Sequence, residues 1–404
     1  MCSFRQIFLN LKMKNIFLLL FLFVVVISSC KEPKNSPPAK SITEDSIPAL
    51  PPPRPDNYYK RYEGTIAGQK IVMQLTAAGN EIAGMYYYEN LGIPIYFSSR
   101  SIKGDSLTLD EYPLADRFSE TDKFPTLKLA FSDSSLTGIW NSGDRIRAFP
   151  VELKETYTAG SYKFNYAVIQ DSIIPYPEVQ GGPMAKFKLS YIIPDTAQTD
   201  ANKFLKNEVA VILGYDKISS NTSIDEIAKK FSSDYLQSYK NELPQPNEDS
   251  IDLTSPTFKY EFDQRMGIVY NRQDFVIISS NNYEYTGGAH PNHSTTFFCF
   301  DVREQKRLSA KDIFVRDSAK LQPIFEKAIR KMRKIPAKEK LSSVLFENYI
   351  LPNDNFFFND AGIIFFYNPY EIAAYVYGDT ELFIPYSEMM PFLTDYFKER
   401  MGLR

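Results

Sequence analysis

The sequence predicts an α+β chain in which β structure dominates. It reads as an N-terminal all-β meander, a small barrel or sandwich, followed by an α+β region of antiparallel sheet and packed helices. Three observations predict this. Short apolar runs divided by turn residues recur evenly between residues 57 and 155. Two helical periodicities stand close together between residues 199 and 239. Beyond residue 256 strand-like runs return and alternate with helices. A chain of 404 residues is long enough for two or three packed cores.

The N-terminus comes first. Ile16 to Ile27 is an uninterrupted apolar run, the length of a secretory h-region and too short to span a bilayer as a helix. Lys14 supplies the positive n-region. Met13 makes the more compact start; Met1 would give a longer n-region through Arg5, Lys12 and Lys14. The run ends Ile27-Ser28-Ser29-Cys30, which resembles the bacterial lipobox. That resemblance implies a signal peptide over 1–29 and a lipid on Cys30. Residues 30–56 are proline-dense and lack apolar periodicity, as expected of an extended tether. Lys31-Glu32 resembles the charged export signal of Bacteroidota lipoproteins. The expected location is therefore the outer membrane, lipid-anchored, periplasmic or surface-exposed.

Within 57–155 the strand candidates are Lys70–Leu75, Ile82–Tyr88, Pro94–Phe97, Ser106–Leu109, Leu127–Phe131, Leu136–Trp140 and Phe149–Leu153. Gly84 and Gly138 sit mid-strand in similar surroundings and mark bends or close backbone approach. In the next segment, 156–255, a strand over Phe187–Ile193 precedes helices from about Thr199 to Tyr215 and from Ser223, where Glu226 completes a capping box. In 256–404, Thr257–Tyr270 reads as a hairpin. Phe275–Tyr285 and Ser294–Val302 read as partner strands, and Leu321–Lys334 as a helix. Phe356–Tyr367 and Glu381–Pro385 read as strands, and Ser387–Arg400 as a terminal helix capped by Ser387.

Charge excludes one class of partner. With 46 basic and 49 acidic residues the net charge is −3, and no basic cluster points to nucleic acid. Cysteine usage excludes a disulfide framework, because loss of Cys2 and lipidation of Cys30 leave Cys299 alone. Cys299 lies in an apolar run and reads as a buried inert thiol.

The two histidines, His290 and His293, both lie in Glu284-Tyr285-Thr286-Gly287-Gly288-Ala289-His290-Pro291-Asn292-His293. With Glu284 and Asp301 they offer a metal-ligand set on paper. However, Pro291 and the glycines argue for a turn, whereas metalloprotease histidines stand four apart on a helix. No G-x-S-x-G elbow exposes Ser294 as a nucleophile, no phosphate loop or dinucleotide fingerprint is present, and no carboxylate pair is singled out. No catalytic residue, metal ligand or cofactor is therefore assigned. Gly287 and Gly288 read as permitting an unusual backbone path, with His290 tying the loop to its neighbours. The ligand-loop candidates are Tyr285, Thr286, Gly287, Gly288, His290, Asn292 and His293, since binding residues concentrate on loops held by a rigid scaffold. The aromatic clusters Phe356–Phe358 and Phe365–Tyr367 read as core.

The Thr286–Pro291 motif, the strand after it, Arg307–Phe314, Phe366–Ala373 and Thr380–Tyr386 together resemble a C-terminal domain of unknown function of the RsiV type. RsiV is a lysozyme-sensing anti-sigma factor. The segment ahead of it is similar to the companion domain of PdaC-type peptidoglycan deacetylases. The resemblance implies domains at 156–255 and 256–404, with 57–155 outside it. It also implies a non-enzymatic binding module for a cell-wall-related partner, a lysozyme-like muramidase or peptidoglycan glycan. The alternative is an envelope glycan hydrolase or deacetylase using His290 with a carboxylate.

Overall fold

The computed structural model describes residues 56–404 apart from 114–122, 133, 198, 217–218, 220 and 247–250. The expected signal peptide, Cys30 and residues 31–55 of the expected tether lie outside the described residues.

The meander is a barrel. Strands β1 (Asn57–Ile66), β2 (Gln69–Ala78), β3 (Glu81–Tyr88), β4 (Ile95–Lys103), β5 (Ser106–Pro113), β6 (Thr126–Ser132), β7 (Ser135–Asn141) and β8 (Ala148–Glu155) pair in sequence. β1 also pairs antiparallel with β8 and closes the ring. Closure removes the exposed edges that an open meander would carry. Inward residues such as Tyr62, Met73, Leu109, Leu127 and Leu153 fill the interior. β1 was not among the sequence-predicted strands. Its residues Tyr58, Tyr59, Arg61 and Tyr62 are all buried, because one face lines the barrel while the other meets the next layer. A strand covered on both sides shows no alternation. Gly84 and Gly138 are both points of close approach. A Cβ there would stand 2.0 Å from the Gln74 carbonyl oxygen and 1.9 Å from that of Lys128.

The second layer is a six-stranded sheet of β9 (Phe164–Ile173), β10 (Met184–Pro194), β11 (Lys259–Arg272), β12 (Phe275–Thr286), β13 (Asn292–Asp301) and β14 (Lys306–Leu308), ordered 14-13-12-11-10-9. Only β10 and β11 run parallel. Their crossover holds helices α1 (Asp200–Ile212) and α2 (Ile224–Glu242). The capping box expected at Ser223 and Glu226 is present. The helices bury Leu205, Val209, Ile227 and Tyr239 against Phe187, Leu189, Met266 and Ile278 of the sheet. The sheet takes strands from both sides of residue 255, so the two segments divided there share one layer.

The opposite sheet face meets the C-terminal elements: α3 (Ala310–Ile313), α4 (Ser318–Arg333), a three-stranded sheet of β15 (Phe356–Phe358), β16 (Gly362–Tyr367) and β17 (Thr380–Pro385), then α5 (Tyr386–Met389) and α6 (Asp395–Met401). Both phenylalanine clusters are buried here. Val72, Met85 and Tyr87 of the barrel join this core, so the barrel is packed onto the rest.

Three expectations are corrected. Thr257–Tyr270 is not a hairpin. After a single 3-10 turn, β11 runs unbroken through Gly267, with a register shift between Ile268 and Tyr270. Phe356–Tyr367 is two strands, turned at Asn359, where the side-chain oxygen accepts from the Ala361 amide. The terminal helix is divided. Pro391 and the extended Leu393 interrupt it, Thr394 caps α6, and Ser387 lies inside α5.

Candidate functional site

The Thr286–His293 segment is the tip of the β12–β13 hairpin. Gly287 has φ +78°, and a Cβ there would stand 2.0 Å from the Thr257 carbonyl oxygen, so only glycine fits. At Gly288 a Cβ would meet nothing closer than 3.9 Å. His290 is exposed. Its Nδ1 lies 2.9 Å from the neighbouring Pro291 carbonyl, and its ring packs on Tyr375 at 4.9 Å. His293 meets the edge of the same tyrosine at 5.7 Å, and its Nε2 stands 3.3 Å from Asp379 Oδ1. Tyr285, Thr286 and Asn292 are exposed or half-buried on the strand ends flanking the tip.

Below His293 the three β layers leave a cleft. The barrel contributes Gln74, Thr76, Ala83 and Tyr96 from its outer face. The six-stranded sheet contributes Arg265, Ser279, Asn281 and Thr295. Phe366, Asp379 and Glu381 come from the C-terminal layer. The cavity is about 500 Å³ and mostly apolar, and a second hollow at its mouth includes His293, Asp379, Arg265 and Tyr283. This is the size range of small-ligand sites, which favour the junctions of packed units.

The walls are held by local chemistry. Above the point where β14 pairs, the outer edge of β13 has no strand partner among the described residues. Side-chain amides take its place: Thr295 N donates to Asn368 Oδ1 at 2.7 Å, Asn355 Nδ2 donates to the Thr295 carbonyl at 2.7 Å, and Phe297 N donates to Asn355 Oδ1 at 3.0 Å. On the barrel side, Asn271 Nδ2 donates to Tyr59 Oη at 3.1 Å, and Tyr59 Oη in turn donates to Gln74 Oε1. That leaves the Gln74 Nε2 group, on a residue 2% exposed, without a hydrogen-bond partner among the described residues. Glu381 is buried and accepts from Tyr96 Oη at 3.0 Å. Asp379 Oδ1 is buried and accepts no aligned hydrogen bond among the described residues, although His293 stands close. At the rim, Arg265 pairs with Asp263 at 2.8 Å and approaches Glu81 at 3.5 Å.

Of the sequence-predicted loop residues, none lines the cleft itself, and only His293 lines the second hollow beside it. Gln74, Arg265, Asp379 and Glu381 were not anticipated. Glu381 carried a readable signal, a carboxylate inside the apolar run Thr380–Pro385. Cys299 is buried, 3.5 Å from the Phe356 carbonyl, and burial pushes its thiol pKa well up.

Two family models match the chain. Residues 311–387 match a family described as a protein of unknown function, DUF3298, and residues 174–293 match one described as deacetylase PdaC. The Thr286–Pro291 tip falls in the second stretch. Over 189 residues the chain is 25% identical to the peptidoglycan-N-acetylmuramic acid deacetylase PdaC of Bacillus subtilis (strain 168), covering 45% of this chain and 39% of that protein. The chain therefore spans about two fifths of the length of the curated relative it matches. The fold is similar to the crystal structure of a DUF3298 family member from Bacteroides fragilis NCTC 9343, with a TM-score of 0.54 at 20% identity. That likeness covers 61% of this chain and 100% of the other. The barrel lies outside both family-matched stretches.

Proposed function

We propose that the protein is an envelope lipoprotein, held to the outer membrane through Cys30, whose folded part binds a cell-wall-related partner without turning it over. The observation that carries this reading is the cleft, a concave site between three β layers with buried polar groups facing its cavity. A relative named for peptidoglycan chemistry supports the choice of partner. A cavity of this shape suits a wall glycan better than the convex surface of a lysozyme-like protein.

A second reading, a deacetylase or hydrolase, draws on the same relative's name and on the His293–Asp379 pair. A carboxylate beside an imidazole can orient it as a general base. His290 does not serve this reading, since it contacts Pro291 and Tyr375 and no carboxylate among the described residues. The test is retention of the detergent-solubilised full chain on intact peptidoglycan sacculi and, separately, on immobilised c-type lysozyme, with acetate and muropeptides assayed in the same tubes. Retention on sacculi without product is expected. Product that disappears in His293→Ala would replace the binding reading with the enzymatic one. Retention on lysozyme alone would make the partner a protein.

A further inference from the structure

We infer that the cleft is a subsite for an N-acetylated amino sugar and that the barrel supplies half of it, an assignment that rests on the wall-binding reading above. The polar groups facing the cavity set the chemistry. Gln74 Nε2 is a buried donor with no acceptor among the described residues, and leaving it so costs more than pairing it. Across the cleft, Asp379 Oδ1 is a buried acceptor without an aligned donor, next to the buried carboxylate of Glu381. A ligand that satisfies both ends presents a carbonyl to Gln74 Nε2 and an N–H or O–H to Asp379 Oδ1. An acetamido group on a hydroxylated ring carries all three. A free ammonium group suits the carboxylates but offers no acceptor to Gln74.

The rest of the cavity fits a sugar. Its lining is largely apolar, with half-buried Tyr96 facing the flat side of a pyranose and the edge of buried Phe366 in the floor. About 500 Å³ accommodates a ligand of one or two rings. An extended peptide is disfavoured, because such ligands bind by adding a strand to an open edge. The barrel has no edge, and the β13 edge beside the cleft is occupied by Asn355 and Asn368.

The experiment measures binding of the full chain in detergent to three probes by calorimetry: the N-acetylglucosamine tetrasaccharide, its fully de-N-acetylated counterpart, and an acyl-Lys-D-Ala-D-Ala tripeptide. The acetylated tetrasaccharide is expected to bind at least about tenfold more tightly than the other two, the worth of one well-made hydrogen bond. Gln74→Met and Asp379→Asn should each weaken it about tenfold. Ala83→Trp, at an exposed strand position lining the cleft, should abolish binding without touching a buried group, which covers the case in which Gln74→Met fails to fold. Equal affinity for the two tetrasaccharides, preference for the tripeptide, or normal binding by Ala83→Trp would overturn the subsite while leaving retention on sacculi intact. Loss of retention by the unmodified chain would overturn the wall-binding reading itself.

Discussion

Glu111 offers a test of the barrel's interior electrostatics. The residue is 2% exposed and its carboxylate points into the barrel, where Tyr86 Oη donates to Oε1 at 2.7 Å and Trp140 Nε1 donates to Oε2 at 2.8 Å. Burial raises its pKa from 4.5 to about 7, with the two hydrogen bonds pulling the other way. Because the folded carboxyl keeps its proton to higher pH than the unfolded one, its contribution to stability is fully present below about 4.5. It is lost as pH rises towards 7. Each pH unit between those values is worth about 1.4 kcal/mol, so full ionisation costs the barrel roughly 3 kcal/mol. Glu111→Gln removes the titration and can keep both contacts: the amide oxygen accepts from Trp140, and the amide nitrogen donates to Tyr86 Oη. Trp140 is the sole tryptophan in the chain, so its fluorescence reports this site alone. Urea unfolding followed by that signal from pH 5 to 8.5 should show the parent losing stability up to about pH 7 and levelling off above it, with this loss absent from the variant. The variant should be the more stable above pH 7. The native-state fluorescence should titrate near pH 7 in the parent only. Parallel stability curves for the two proteins would refute the assignment of a buried, titrating Glu111.

Three further outcomes follow from single contacts. Gly287→Ala should cost about 2 kcal/mol or more in urea unfolding at an unchanged m-value, since φ +78° and the Thr257 carbonyl both oppose a Cβ. Asn271→Ala should cost about 3 kcal/mol, because it leaves the Tyr162 amide and carbonyl, now 2.8 Å and 2.7 Å from the Asn271 side chain, unpaired. The seam between barrel and sheet would then loosen, and the Trp140 transition should separate from the far-ultraviolet circular dichroism transition. Cys299 should resist iodoacetamide in the native protein and react only in denaturant, because burial holds its thiol protonated. Mass spectrometry of the Cys299 peptide distinguishes the two states.

What could be read from sequence follows from how local each signal is. The Ser223–Glu226 capping box is a contact within one helical turn, so residue order alone places the start of α2. The barrel strands between Lys70 and Leu153 were legible because each has a wet face and a dry face over part of its length. Pro391 lay in plain view in the terminal segment, and the rule that proline ends helices would have divided it. The turn at Asn359 was readable, since Asn359-Asp360-Ala361-Gly362 divides two apolar runs, but neither run alternates because both strands are buried throughout.

The cleft was hidden for a different reason. Gln74 sits on an outward-facing barrel position that would be solvent-exposed in an isolated barrel, and its neighbours in sequence give no hint that it is covered. Asp379 and Glu381 come from the far end of the chain and meet it because Tyr59, Asn271 and Tyr162 tie the barrel to the six-stranded sheet, while Tyr87 and Tyr96 tie it to Asp360 and Glu381 of the C-terminal layer. A polar residue becomes a candidate site residue when tertiary packing takes away its water without supplying a partner, and that quantity is a property of the assembled layers. It also separates the roles of the residues within the histidine motif. Gly287 and Gly288 shape or pass through the hairpin tip, while His293, one of the two histidines that mark the motif in sequence, is the one the hairpin delivers to Asp379.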